Sequence, residues 1–190
     1  AADAMTYSEL IEPDSLVKPH VDVDIAGADL DALLGETPSG FSDLANKVKL
    51  QWVDRLAALF KIDRSQVAIS SRHRPPCPEG GKISFHMVVN TVKCEARVLH
   101  ALMQPLSDLP GFDPNIYKLD KRRVFTCVEC YKPLKQGGRN TMKMTRESHR
   151  TCLRRHFVNY VDGIEHEDAT DLSPETATKA AERARPAAAP

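Results

Sequence analysis

Two segments of the chain alternate apolar and polar residues strictly enough to be strands of a sheet with two unlike faces. In VDVDIA at 21–26, three apolar residues lie on one face, and Asp22 and Asp24 lie on the other. KISFHMVVN at 82–90 repeats this period of two. QVAISS at 66–71 also has the composition of a strand, and a turn-rich segment separates it from 82–90. The chain is therefore expected to contain a sheet that is half buried and half polar.

Helical periodicity places helices between these strands. Apolar residues recur at helical spacing over 42–60, where Ser39 or Ser42 could cap an amphipathic helix, and a second helix is expected around 94–107. IYKLD and RRVFTCVECY are typical of two strands or one bent strand, and 147–161 fits either a helix or a strand. The order is roughly β-α-β-β-α-β-β followed by a helix or strand, which predicts an α+β or mixed α/β fold.

Length and composition fit one intracellular globular domain. The chain has 190 residues, of which 42% are hydrophobic and 27% charged, and no apolar run approaches the ~20 residues of a membrane span. The N-terminus does not resemble a secretory signal, and five cysteines suit a reducing compartment, in the nucleus or cytoplasm. We expect an N-terminal extension at 1–16, a folded domain at 17–165 and a flexible Ala/Pro-rich tail at 166–190.

The net charge of zero conceals two lobes of opposite sign. Residues 1–44 hold ten acids and one base, whereas 118–155 hold twelve bases and three acids. Such an arrangement suits a protein that grips a polyanion on one side and holds cations on the other. The alternative is that the lobes pair with each other or form solvated surfaces.

Asp22 and Asp24 are candidates for a metal site. Two residues apart on a strand, their side chains project from the same face with Cα atoms about 6.5–7 Å apart. Carboxylates held side by side repel each other, and a divalent cation such as Mg²⁺ or Mn²⁺ would cancel that repulsion. Asp120 could be a third carboxylate. The alternative is a pair of solvent-facing acids on an edge strand.

Lys82, Ser84 and His86 occupy alternate positions of the second strand, opposite its apolar face. A hydroxyl, an imidazole and an ammonium on one face could together bind a phosphate. The alternative is an ordinary surface histidine. Further along the chain, Lys132, Lys135 and Arg139 could hold a triphosphate or template, and aromatic residues are interleaved there for stacking, namely Phe125, Tyr131 and Phe157.

A zinc site is arithmetically possible. Cys127 and Cys130 form a C-x2-C pair, and Cys152 and His156 form a C-x3-H pair after twenty-one intervening residues. Against zinc, strand geometry would place Cys127 and Cys130 on opposite faces, and cysteines are common in cores.

Taken in order, three motifs resemble those of the archaeo-eukaryotic primase superfamily. They are PHVDVDIAG, SSRHRPPCPEGGKISFHMVVN and YKLDKRRVFTCVECYKPLKQGGR, which are similar to the family's hhhDhD strand, s-x-H strand and h-D strand. The similarity is greatest to viral primases and primase-polymerases, and it covers roughly residues 17–162. It implies a catalytic core with an RRM-like antiparallel sheet flanked by helices.

The resemblance also implies an activity and residue roles. Asp22, Asp24 and Asp120 would hold two Mg²⁺ or Mn²⁺ ions for nucleotidyl transfer in a DNA primase or primase-polymerase acting on single-stranded DNA with NTP or dNTP. Ser84, His86 and Lys82 would bind the phosphates of the incoming nucleotide. The family's nucleotide-side cations would be represented by Lys132 or Lys135 and by Arg139. Val128 and Glu129 stand where the family has an Asn-Arg step.

Two other hypotheses remain open. The chain could be a catalytically silent relative that binds DNA through the basic lobe, or a zinc-dependent interaction module. Serine-hydrolase and phosphate-loop ATPase chemistry are set aside, because neither G-x-S-x-G nor G-x-x-x-x-G-K-[ST] occurs. A replicative helicase, on a longer form of this chain or on a separate one, is an expected partner.

Overall fold

Ten strands and three helices make up the regular structure of the part of the chain that the computed structural model describes, residues 8–78, 80–118, 123–126, 131–133, 139–144, 153–159 and 161. In chain order they are β1 (Ser8–Ile11), β2 (Leu16–Val17), β3 (His20–Ala26), α1 (Gly27–Gly35), α2 (Phe41–Phe60), β4 (Val67–Ser71), β5 (Lys82–Val89), β6 (Cys94–Glu95), α3 (Ala96–Met103), β7 (Arg123–Thr126), β8 (Tyr131–Pro133), β9 (Arg139–Thr141) and β10 (Lys143–Met144). The fold is mixed α+β.

The central sheet is antiparallel, with the strand order β10-β4-β5-β3. The sequence prediction of strands at 21–26, 66–71 and 82–90 is confirmed to within one residue at each end. The apolar side chains of β3, β4 and β5 share one face, and the residues with that alternation are all buried, namely Val21, Val23, Ile25, Val67, Ile69, Ile83, Phe85, Met87 and Val89. Their burial is the main force that holds the sheet in register.

The long helix α2 packs on this sheet, as its apolar periodicity predicts. Its buried residues recur at helical spacing and include Trp52, whose indole N–H donates a hydrogen bond to the Pro110 carbonyl at 2.9 Å. The expected serine cap is wrong: the N-cap residue is Gly40, and no side chain caps the helix. No helix in the described ranges has the length and apolar character needed to cross a membrane.

Other elements differ from the sequence predictions. The helix expected around 94–107 is shorter, because Cys94–Glu95 form a strand paired with Leu16–Val17, and a 3-10 turn takes over at Gln104–Leu106. The segment expected as a strand at IYKLD begins in a 3-10 turn, Pro114–Tyr117. Another 3-10 turn, Leu153–His156, lies in the segment left open between helix and strand. Helix α1 was not predicted.

Two small antiparallel ribbons complete the described structure, β1 with β7 and β8 with β9. Within the segment expected as an N-terminal extension, Ser8–Ile11 thus pair with Arg123–Thr126, and Ile11 is buried in the core. The ribbon fixes where β7 lies relative to the sheet, which matters for the polar face described below.

The free edge of β3 is closed by the loop that contains Gly111. The Asp24 N–H donates to the Gly111 carbonyl at 3.0 Å. A Cβ atom at Gly111 would lie 2.7 Å from Ile25 Cγ1 and 2.9 Å from Val23 Cγ1, and φ at this position is +78°. The close approach and the positive φ both require glycine.

We therefore predict that Gly111→Ala lowers the free energy of unfolding by about 2–4 kcal/mol, because it adds both overpacking and backbone strain. Gly35→Ala is the matched control, since a Cβ there meets nothing within 4 Å. Urea unfolding followed by circular dichroism measures both. Equal stability of the two variants would contradict the close approach at Gly111.

Candidate functional site

The first two sequence motifs lie side by side on adjacent strands of the central sheet. In the register of β3 and β5, Asp22 is opposite His86 and Asp24 is opposite Ser84. Residues directly opposite each other in an antiparallel pair share a face of the sheet. Lys82 pairs with Ala26 at the end of the same row. The polar residues of the first two motifs are thus brought together on the polar face, namely Asp22, Asp24, Lys82, Ser84 and His86.

Both carboxylates have a cationic or potentially cationic neighbour. The Lys82 Nζ atom is 2.6 Å from Asp24 Oδ2, and the His86 Nε2 atom is 3.4 Å from Asp22 Oδ1. The repulsion that the sequence predicts between the two carboxylates is therefore already relieved in part by the neighbouring strand. In this state Lys82 contacts a carboxylate rather than a phosphate.

The polar face is covered at one end and open at the other. The side chains of His86 and Asp22 are 4% and 16% exposed, whereas those of Lys82 and Asp24 are 27% and 33% exposed. The cover is Phe125 of β7, whose ring stacks on His86 with centroids 4.1 Å apart. Phe125 is itself buried and its ring packs on His86, so its stacking on bases or sugars stays a prediction.

Ser84 is fully buried, and its hydroxyl Oγ has no hydrogen-bond partner among the described residues. Its backbone is held firmly: the Ser84 N–H donates to His73 Nδ1 at 3.1 Å, and its carbonyl accepts from the Arg72 N–H at 3.0 Å. A buried hydroxyl without a partner is costly unless a ligand supplies one.

His73 must be neutral to accept this hydrogen bond. Its ring packs edge-on against Phe85, with centroids 4.5 Å apart. Burial, and to a lesser extent the charge of Lys49, lowers the pKa of His73 from 6.5 to about 4. Protonation would place a second donor against the Ser84 N–H, so the backbone of β5 at Ser84 depends on the neutral ring.

The chemistry of the acids fits a hard divalent cation. Asp24 Oδ1 is buried and has no hydrogen-bond partner in the described part of the chain, while Oδ2 contacts Lys82. Asp22 presents a second carboxylate on the same face. No cluster of three potential ligands occurs within the described ranges, and Asp120 lies outside them. Asp22 and Asp24 are therefore the residues that could hold Mg²⁺ or Mn²⁺ here.

The remaining predicted site residues fall mostly on undescribed positions. Lys135, Cys127, Cys130 and Cys152 lie outside the described residues. The backbones of Lys132 and Arg139 lie on the β8–β9 ribbon, where Lys132 pairs with Asn140 and Arg139 with Pro133.

His156, the fourth ligand of the predicted zinc site, is buried. Burial, with smaller contributions from the charges of Arg155 and Lys18, lowers its pKa from 6.5 to about 4. Its imidazole is thus neutral at neutral pH, which is the protonation state that metal ligation needs.

Sequence reasoning missed the contribution of β4 to this face. Ser70 pairs with His86, and the bridge between Arg74 and Lys82 continues the same alternation beyond the end of the strand. Arg72 and Arg74 precede the KISFH strand in the sequence SSRHR. The spacing of two residues between these arginines is typical of a strand and could have indicated that both lie on one face. The prolines and glycines that follow indicate a turn instead, so the strand pattern was not recognised.

Comparison with known proteins adds no assignment. No family model matches the chain, and a search of the curated proteins finds no match.

The role of His73 predicts a pH dependence. Between pH 6.5 and pH 4 the unfolded chain binds a proton at His73 that the folded chain does not, so this contribution to stability is complete above pH 6.5 and is lost as the pH falls. His73→Asn keeps an acceptor without titrating, and it should reduce the pH slope of the unfolding free energy by at most about 1.4 kcal/mol per pH unit.

Urea unfolding at several pH values across that window measures the slope. His100→Asn is the control, because His100 is an exposed residue on α3. If His73→Asn and His100→Asn have the same slope as the unmodified chain, folding does not lower the pKa of His73.

Proposed function

We propose that this chain is a template-directed nucleotidyltransferase of the primase or primase-polymerase type. The observation that carries the proposal is the register of β3 and β5, which sets the Asp22–Asp24 pair directly beside Ser84 and His86. Metal-binding carboxylates next to phosphate-binding side chains are what nucleotidyl transfer requires. The resemblance of three motifs to the archaeo-eukaryotic primases supports the same reaction class.

The acids would bind divalent cations. Mg²⁺ or Mn²⁺ there would supply the charge that stabilises the attacking 3′-hydroxyl oxygen and the leaving pyrophosphate. The β3 strand contributes rigidity, because Asp24 is fixed on one side by Gly111 and on the other by the β5 ladder. This pre-organisation, rather than covalent catalysis, would be the protein's contribution. Asp120 is proposed as the third acid from the sequence motif alone.

Ser84 and His86 would bind the phosphates of an NTP or dNTP. The Ser84 hydroxyl is buried and can donate to a phosphate oxygen, and the His86 ring is held in place by its stacking contact with Phe125. Neither residue acts as a nucleophile. Their positions on one strand fix the spacing between the two phosphate contacts.

Lys82 would exchange partners when ligands bind. In the structure its ammonium group neutralises Asp24 at 2.6 Å. With Asp24 holding a divalent cation, the Lys82 ammonium group would leave the carboxylate because of like-charge repulsion, and Lys82 could then contact the nucleotide. Cation binding and nucleotide binding would thus favour each other, since each removes an obstacle to the other.

The proposed partners are single-stranded DNA as template, NTP or dNTP as substrate, and a helicase. Binding of the nucleotide by Lys132 or Lys135 and by Arg139 is also part of the proposal, and it rests on the sequence motif alone. Two other functions are outcomes of the test below: a catalytically silent DNA-binding relative and a zinc-dependent module.

Incorporation of nucleotides should depend on the negative charge of both acids. Asp22→Asn and Asp24→Asn each remove a charged metal ligand, which is worth several kcal/mol of transition-state stabilisation, so incorporation should fall by roughly 10³-fold or more. The assay follows labelled NTP and dNTP on single-stranded DNA, with Mg²⁺ or Mn²⁺. Asp31→Asn, an exposed acid on α1, is the control and should keep full activity.

Undiminished incorporation by Asp24→Asn would contradict the proposal. If the unmodified, folded chain makes no product but binds single-stranded DNA with strong salt dependence, the silent DNA-binding function is the better one. Zinc in the purified protein, with loss of the fold on chelation, would favour the zinc-dependent module.

A further inference from the structure

Arg72 extends the hydrogen-bonded ladder between β4 and β5 past the end of β4. Its N–H donates to the Ser84 carbonyl at 3.0 Å. Two residues further, Arg74 and Lys82 exchange both backbone hydrogen bonds, at 2.8 and 2.7 Å. The register is therefore maintained through this stretch, and Arg72 lies opposite Ser84.

The alternation along this stretch assigns each side chain to a face. His73 lies on the apolar side, where its ring contacts Phe85 and Phe41 with centroids 4.5 and 6.2 Å apart. Arg72, one residue before it, therefore lies on the polar side with Ser84 and Asp24. Arg74 returns to that side next to Lys82.

Arg72 is buried where a guanidinium group is costly. The residue is only 5% exposed, and its Nη1 atom is buried without a hydrogen-bond partner among the described residues. The two acids of this face are engaged elsewhere, Asp24 with Lys82 and Asp22 with His86. A buried guanidinium nitrogen without an acceptor destabilises the folded chain, so its presence calls for a ligand that supplies one.

The unsatisfied groups of Arg72 and Ser84 are complementary to one kind of ligand. Both the guanidinium and the hydroxyl can donate hydrogen bonds, and they sit on directly opposing residues of adjacent strands. Arg74 and Lys82 add positive charge at the next pair along. A compact anion with several acceptor oxygens would satisfy the donors and neutralise the charge.

We propose that Arg72, together with Ser84, binds the polyphosphate chain of a free nucleotide. This inference deepens the proposed function and rests on it for the identity of the nucleotide. A free polyphosphate is favoured over the backbone of a DNA strand because the donors are buried, whereas a continuous strand needs an open groove. Arg72 would then supply the nucleotide-side cation that the third sequence motif lacks at Val128 and Glu129.

The test measures binding of inorganic tripolyphosphate by titration calorimetry and KM for dNTP in the incorporation assay. Arg72→Met should raise both the tripolyphosphate Kd and KM by roughly 10- to 100-fold, the range of one or two charged hydrogen bonds. Affinity for a single-stranded oligonucleotide should stay unchanged. Arg64→Met is the control, because Arg64 is exposed and pairs with Asp54.

A structural role of Arg72 would give a different result. If the guanidinium only stabilised the fold, Arg72→Met would lower the Tm of the unliganded chain and leave Kd unchanged. We expect the reverse, a Tm that is equal or higher without ligand, because a buried charge without a partner has been removed. Unchanged Kd in Arg72→Met, or no binding of tripolyphosphate by the unmodified chain, would overturn the inference.

Arg72→Lys decides the matter if Arg72→Met fails to fold. It keeps the charge but loses the planar fork, so Kd should rise by roughly 3- to 10-fold, and an unchanged Kd overturns the inference. The two proposals can fail separately. Arg72-dependent tripolyphosphate binding without incorporation would refute polymerase activity alone, whereas incorporation with an unchanged KM in Arg72→Met would refute the role of Arg72 alone.

Discussion

The pairing of β3 with β5 is the constraint that sets Asp22 opposite His86 and Asp24 opposite Ser84 in the candidate site. Because side chains alternate between the faces of a strand, a slip of one residue would turn Asp22 and Asp24 toward the core and expose Val23. Buried carboxylates facing Phe85 would cost several kcal/mol each. The apolar face of both strands thus selects the register that also sets Asp24 beside Ser84. Packing of the core and assembly of the polar face are consequences of the same alignment.

The elements that could be predicted from the sequence are those whose pattern lies within one continuous segment. The strands around Asp22 and His86 and the long helix α2 have strong periodicity, so their positions were predictable. Helix α1 was not, because it begins at a glycine, has no side-chain cap and buries only Leu30. The stacking of Phe125 on His86 was equally hidden, since it depends on the non-local pairing of β7 with β1. Contacts between distant segments leave no periodic trace in the sequence.

The polar face contains groups that reduce the stability of the unliganded fold. Ser84 Oγ and Arg72 Nη1 are buried without partners in the described part of the chain. Folded proteins retain such groups mainly where a function needs them. The apolar face compensates, because Trp52 of α2 and the large residues of β5 are almost completely buried between the helix and the sheet. The stability supplied by the apolar core on one side of the sheet offsets the cost of the buried polar groups on the other side.

The gradient of exposure along the polar face gives the site a direction. Phe125 covers the His86 end, so within the described structure the accessible end is the one with Asp24 and Lys82. An anion approaching Ser84 from there passes a carboxylate, which would repel it strongly in a poorly solvated site. The Lys82 ammonium, 2.6 Å from Asp24, cancels that repulsion. In the structure as it stands, the ion pair therefore removes the repulsion that Asp24 alone would exert on an anion near the buried donors. Under the proposed function, a divalent cation held by Asp24 would remove the same repulsion once Lys82 had left the carboxylate.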